Sequence, residues 1–276
     1  MYLLLHFRET TNYHLSSPSS TLNFKVLHAF LCFVFIVTCL LIVISSSFFK
    51  NTLSPIHTIS MLPKVKICCI SSIEEARLAV QYGASALGLV GRMPSGPGVV
   101  TDELIAQIVP TVPPPIATFL LTSETTAVDI IAHQRRVHTN TLQLVDAVSE
   151  GTYQLIRQSL PSVKIVQVIH VIDESSVEEA LMAAQEVDAL LLDSGNPKLA
   201  VKELGGTGRV HNWSLSRRIV EQSAVPVFLA GGLRAENVQE ALDTVQPFGL
   251  DLCSSVRTDG KLDGAKLEAF FRAVGY

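Results

Sequence analysis

A thiol and a carboxylic acid, each closing an apolar run, are the residue types in this chain best suited to chemistry. Cys68 and Cys69 follow Val65-Lys66-Ile67, Asp193 follows Leu190-Leu191-Leu192, and Asp251 stands two residues before Cys253-Ser254-Ser255. A thiol and a carboxyl group facing each other across a cleft suit general acid and base work on a small molecule. Each has a plainer use as well: Asp193 as a turn or helix cap, and Cys68 as a small buried hydrophobe. Period-2 alternation along the first run puts Lys66 and Cys68 on one face and Val65, Ile67 and Cys69 on the other. Cys68 is therefore expected to point at a substrate, and Cys69 to pack against the surrounding helices.

Three glycine or serine runs follow later apolar segments: Leu204-Gly205-Gly206-Thr207-Gly208-Arg209, Gly231-Gly232-Leu233 and Ser254-Ser255. Glycine lets backbone N–H groups approach an anion, and helix N-termini add a favourable dipole, so Gly206, Gly231, Gly232, Ser254 and Ser255 form a candidate phosphate site. The same glycines could also serve tight turns. No G-x-G-x-x-G follows any strand, which argues against a dinucleotide. The five cysteines, Cys32, Cys39, Cys68, Cys69 and Cys253, have no metal-ligand spacing and form no even disulfide framework, so neither a metal nor a disulfide scaffold is expected. Adjacent Cys68 and Cys69 are poor disulfide partners and fit a reducing compartment. With 21 basic residues against 25 acidic ones and no basic run, nucleic acid is not an expected partner.

The elements that must position these residues lie after Met61. Eight apolar, β-rich segments, at 65–69, 86–90, 116–121, 141–145, 164–170, 189–192, 227–230 and 250–253, alternate with helical patterns. Helix starts are signalled by Ser72 before Glu75, Thr101 before Asp102-Glu103, and Ser175 before Glu178. Roughly 27 residues per unit leave room for a strand, a helix and two short loops. Alternating strands and helices imply a parallel sheet with right-handed crossovers, and strands apolar on both faces, such as Leu190-Leu191-Leu192, favour closure into a (β/α)8 TIM barrel over residues 61–276. A doubly wound open sheet is the alternative. Residues 1–60 differ: positions 29–44 are apolar but for Thr38, and 29–49 approach the roughly 20 residues of a membrane span. They read either as a transmembrane anchor or as an over-extended translation start before Met61, and a secretory signal fits less well. The barrel is expected in the cytoplasm, membrane-attached only if 29–49 is a real anchor.

From residue 65 to the C-terminus the ordered pieces Lys66-Ile67-Cys68, Gly88-Leu89-Val90, Gln143-Leu144, Leu191-Leu192-Asp193, Gly205-Gly206-Thr207-Gly208 with Trp213-Ser214-Leu215, Leu229-Ala230-Gly231-Gly232-Leu233 with Glu236-Asn237-Val238, and Asp251 before Ser254 resemble the phosphoribosylanthranilate isomerase family of tryptophan biosynthesis. The resemblance implies a cofactor-free aldose-ketose isomerase acting on a small phosphorylated sugar by an Amadori rearrangement. Asp193 would be the general acid at the ribose ring oxygen and Cys68 the general base at C2. An ammonium alone inside a barrel is costly, so Lys66 is expected to pair with Asp251, itself a candidate substrate contact.

Departures gather on the aglycone side. Relatives have glycine where this chain has Cys69, His-Gly where it has Val145-Asp146, and Ser-Pro-Arg where it has Ser95-Gly96-Pro97-Gly98. The missing arginine, which in the family holds the anthranilate carboxylate, removes a charge-assisted contact worth roughly 1.5–3 kcal/mol. Arg92 is the expected substitute if its loop folds inward, and an arginine restored at position 98 is expected to tighten anthranilate-bearing substrates if it does not. Two other readings remain open: a related isomerase acting on another N-phosphoribosyl amine, and a non-catalytic barrel that binds a sugar phosphate.

Overall fold

Strict alternation of side chains along eight short strands generates the architecture. In the computed structural model, which describes residues 62–276, β1 (Lys64–Ile67), β2 (Ala86–Val90), β3 (Ala117–Thr122), β4 (Thr141–Leu144), β5 (Lys164–His170), β6 (Ala189–Asp193), β7 (Val227–Leu229) and β8 (Gly249–Leu252) close into a parallel barrel in sequence order. The seam pairs β1 with β8, with Lys66 beside Asp251 and Ile67 beside Leu252. The open-sheet alternative is thereby excluded. The apolar run at 29–49 lies outside the described residues. Within those described, no helix is long and apolar enough to cross a membrane.

Residues such as Val65, Ile67, Leu87, Leu89, Leu190, Leu192, Leu250 and Leu252 point outward into one buried cluster with the helices. The helical ring comprises α1 (Ile73–Gln81), α2 (Asp102–Ile108), α3 (Ala127–Val137), α4 (Thr152–Ser159), α5 (Ser175–Ala183), α6 (Trp213–Gln222), α7 (Val238–Val245) and α8 (Gly264–Ala273). The intervening residues, among them Ala86, Phe119, Val166, Leu191 and Phe228, fill the barrel as a second cluster. Burying two faces in this way is what a strand sandwiched between packed interior and helices requires.

Local signals set the starts of several helices. Ser72 and Thr101 accept the N–H groups of Glu75 and Leu104 as caps, as the capping pattern predicts. Ser175 is a correction: it lies inside α5, whose preceding residue is Glu174, because Asp173 accepts from the Ser175 amide and hydroxyl and takes over the turn. A short hairpin, β9 (Arg257–Thr258) with β10 (Lys261–Leu262), follows the turn at Ser254–Val256. It brings Arg257 under the end of β1.

Candidate active site

The inward series of each strand ends at the C-terminal mouth, and there the polar residues collect. Lys66 is wholly buried and its Nζ lies 2.8 Å from Asp251 Oδ1 across the β1–β8 seam. Its ammonium also stands 5.4 Å from the Phe119 ring centroid, a cation–π distance. Gly88 on β2 makes this possible, because a β-carbon there would come within 2.8 Å of Cys68 Sγ and 3.0 Å of Lys66 Nζ. Burial works against the Lys66 charge, yet Asp251 and the Cys68 thiol outweigh it and hold the ammonium protonated above its ordinary range.

A cavity of about 260 Å³ opens above this pair, lined by Cys68, Cys69, Gln143, Asp193, Asp251 and the loops carrying Gly206, Gly231, Gly232, Ser254 and Ser255. It approaches the roughly 300 Å³ lower end of small-molecule sites. The structure therefore brings together every candidate site residue except Arg92, which is exposed and is not part of the cavity wall. In that loop it is the Arg92 carbonyl that is engaged, accepting from the Ser123 hydroxyl.

Asp193, at the last position of β6, is buried, and its Oδ1 accepts the Ser194 N–H at 2.7 Å. The Ser194 hydroxyl in turn lies 2.6 Å from that of Thr207, fixing the start of the glycine-rich loop beside the carboxylate. Burial lowers the pKa of His211 to about 4, against the pull of Asp193, so its imidazole is neutral at physiological pH. His211 Nε2 pairs with Ser216 Oγ at 2.7 Å. His170 is buried away from the cavity wall, with Nε2 bonded to the Val145 carbonyl at 3.0 Å.

Cys69 overturns the alternation argument. β1 ends at Ile67, and Cys69 adopts a left-handed backbone with φ of 63°, so period 2 no longer governs where its side chain goes. It lines the cavity with Cys68 and does not pack against the helices. Its Sγ lies 2.7 Å from Cys253 Sγ. The neighbouring Cys69, ahead of the charge of Lys66, holds the Cys68 thiol below its usual pKa despite burial, while Cys253 and Cys68 push Cys69 well up; the Cys69 thiol itself donates to the Pro97 carbonyl at 3.7 Å.

Gly98 explains the same corner from the other side. It has φ of +79°, and a β-carbon there would lie 2.4 Å from Cys69 Cβ. The thiol side chain thus occupies the space that a side chain at 98 needs. The expected gain from a lone arginine at 98 is thereby revised: its β-carbon would meet the Cys69 backbone as well as its side chain, and the left-handed backbone strains any side chain there. Nearby, Lys202 pairs with Asp146, and its carbonyl accepts from the Ser95 hydroxyl, joining the loops after β2 and β6.

Two further cavity residues have polar groups that strand-end reasoning did not isolate. Gln143 is buried with its Oε1 unpaired by any protein group, a state that costs about 1–3 kcal/mol unless a ligand or water satisfies it. A polar residue inside an otherwise apolar strand was the available signal. Arg234 lines the cavity directly after Gly231-Gly232-Leu233, where a cation following a glycine pair could have been marked as an anion contact.

Comparison with known proteins agrees with this geometry. The family model described as N-(5'phosphoribosyl)anthranilate (PRA) isomerase matches residues 65–273. The N-(5'-phosphoribosyl)anthranilate isomerase of Methanosarcina acetivorans is 33% identical over 224 residues, covering 76% of this chain and 92% of that protein. The protein of the same name from Pelobacter propionicus is 36% identical over 217 residues, covering 76% and 94%. Among solved structures, phosphoribosyl anthranilate isomerase from Thermotoga maritima is similar with a TM-score of 0.65 at 28% identity, covering 77% of this chain and 98% of that one. A phosphoribosyl anthranilate isomerase in complex with reduced 1-(o-carboxyphenylamino)-1-deoxyribulose 5-phosphate has a TM-score of 0.63 at 26% identity, with 77% and 98% covered.

Proposed function

The chain belongs to the N-(5'-phosphoribosyl)anthranilate isomerase family, and from that premise we propose that its barrel mouth converts N-(5-phosphoribosyl)anthranilate to the carboxyphenylamino-deoxyribulose phosphate without a cofactor. Asp193 donates a proton to the ribose ring oxygen; the C1–O bond breaks and an iminium forms at C1. The Cys68 thiolate removes the C2 proton, the electron pair moves to give the enol-amine, and loss of the C2 hydroxyl proton with proton return to C1 yields the ketone. The observation that carries this reading is that Cys68 and Asp193 line the same cavity as the glycine-rich loops after β6 and β7. Gly206, Gly231, Gly232, Ser254 and Ser255 offer backbone and hydroxyl donors to the phosphate, and Arg234 adds charge at the same rim. Gln143 Oε1, which no protein group pairs, would accept from a sugar hydroxyl.

Turnover of phosphoribosylanthranilate, generated in place and followed by loss of its fluorescence, tests the reading directly. Cys68→Ser and Asp193→Asn are expected each to lower turnover by about 10²- to 10⁴-fold while inorganic phosphate still binds. Undiminished turnover in both variants would remove the acid/base assignment. A second reading, isomerisation of another N-phosphoribosyl amine, is favoured by the absence of an arginine at Gly98 and by the outward position of Arg92. It predicts a higher kcat/KM for a substrate lacking the aryl carboxylate than for phosphoribosylanthranilate.

A further inference from the structure

The geometry points to Cys69 and Cys253 as a reversible oxidation site, a thiol pair at the rim of the cavity that a peroxide converts to a disulfide. The β1–β8 register sets Ile67 beside Leu252, and the Cys68 N–H donates to the Leu252 carbonyl at 2.7 Å, so the two chains leave the barrel side by side. Their next cysteines bring sulfur to 2.7 Å of sulfur. Closing that gap to a bond of about 2.0 Å requires roughly 0.7 Å of sulfur movement.

The chain maintains this arrangement against local preference. A left-handed φ of 63° at Cys69 is strained for a residue that carries a β-carbon, and glycine there would avoid it. Gly98, where a β-carbon would come within 2.9 Å of Cys69 Sγ, keeps clear the space that the thiol fills. Cys253 is only partly buried, whereas Cys69 is 5% exposed. An oxidant arriving through the mouth therefore meets Cys253 first, with Cys69 behind it.

The chemistry balances with peroxide as the named oxidant. Cys253 sulfur attacks one peroxide oxygen; an S–O bond forms, the O–O bond breaks, and the departing oxygen leaves as water with the thiol proton. Cys69 sulfur then attacks the sulfenic sulfur; the S–S bond forms, the S–O bond breaks, and the hydroxyl leaves as water with the Cys69 proton. Two thiols lose two electrons and one peroxide is reduced to two waters. A dithiol reverses the bond by exchange. The consequence for turnover rests on Cys68 being the base: Cys69 lines the cavity with Cys68 and acts with Lys66 to hold its pKa down, so tying the Cys69 sulfur to Cys253 makes the base harder to ionise.

The test exposes the full chain to hydrogen peroxide, alkylates the remaining thiols and digests with trypsin. Peptides 67–77 and 235–257 are expected to be linked in the peroxide-treated, unsubstituted chain, to separate on addition of dithiothreitol, and to be unlinked in Cys69→Gly, a replacement that suits the left-handed backbone. Turnover at pH 7 is expected to fall about tenfold for each unit by which the acid limb of the pH profile moves up, and to recover with dithiothreitol. The link is read by mass and does not depend on which amine the enzyme isomerises. Unlinked peptides, or a link that persists in Cys69→Gly through Cys68, would overturn the pairing; a linked protein with unchanged turnover and pH profile would overturn its effect on the base.

Discussion

At the scale of single residues, the base and its thiol neighbour make the most direct predictions. Cys68 is held below the usual thiol pKa by the neighbouring Cys69 and then by Lys66, against burial. The thiolate therefore persists at pH values below the ordinary thiol value of about 8.5, and the acid limb of kcat/KM is expected below that point. Cys69→Gly removes that neighbouring thiol, so the limb should move to higher pH; a pH–rate profile of both forms checks the direction. Gly98 and Cys69 should also be energetically coupled, since each occupies space the other needs. Gly98→Ala is expected to destabilise the natural chain more than the Cys69→Gly background, with a coupling energy of roughly 0.5–3 kcal/mol in a double-mutant cycle. Identity and strand position were enough to locate Cys68, Asp193 and Asp251 at the mouth. They were not enough for Cys69, because alternation is a property of extended backbone and says nothing once φ turns positive. Nor did they place Arg92, whose side-chain direction depends on a loop path that no periodicity specifies.

At the scale of elements, the turn between β1 and α1 carries both thiols and is clamped from outside the barrel. Glu75, near the start of α1, accepts from the Ser71 and Leu262 amides and from Arg257. Arg257 Nη2 also donates to the carbonyls of Cys69 at 2.6 Å and Cys68 at 3.3 Å. Burial acts to raise the Glu75 pKa, but Arg257 and the two amides outweigh it and leave it depressed. A depressed folded-state value stabilises the protein above the unfolded value of about 4.3, and that contribution is lost as pH falls through the folded value. Glu75→Gln is expected to cost about 1.5–3 kcal/mol at neutral pH, the range for hydrogen bonds to a charged group. Its deficit against the natural chain should shrink as chemical denaturation is repeated at progressively acid pH below about 4.3. A deficit that is constant with pH would place the loss in packing instead. The capping serines and threonines made α1 and α2 legible; the Arg257 clamp was not, because it joins residues 182 positions apart through a hairpin with no apolar pattern of its own.

At the scale of the whole molecule, closure of the barrel and independence of residues 61–276 are the two claims that can be tested. Eight apolar segments with helical patterns between them favoured a barrel, and the β1–β8 ladder supplies the closing step that periodicity leaves undecided. Lys66 and Asp251 lie on that seam, so Asp251→Asn, which strands a wholly buried ammonium, is expected to cost about 3–5 kcal/mol, measured by denaturant unfolding. Every strand of the barrel, both proposed acid/base residues and every proposed phosphate contact lie after Met61, and the family match starts at residue 65. A protein beginning at Met61 is therefore expected to fold cooperatively, with kcat and KM equal to those of the full chain and the same midpoint for the barrel transition. An inactive or insoluble truncation beside an active full-length protein would show that the first 60 residues complete the fold, and the reading of residues 61–276 as a self-sufficient isomerase domain would fall.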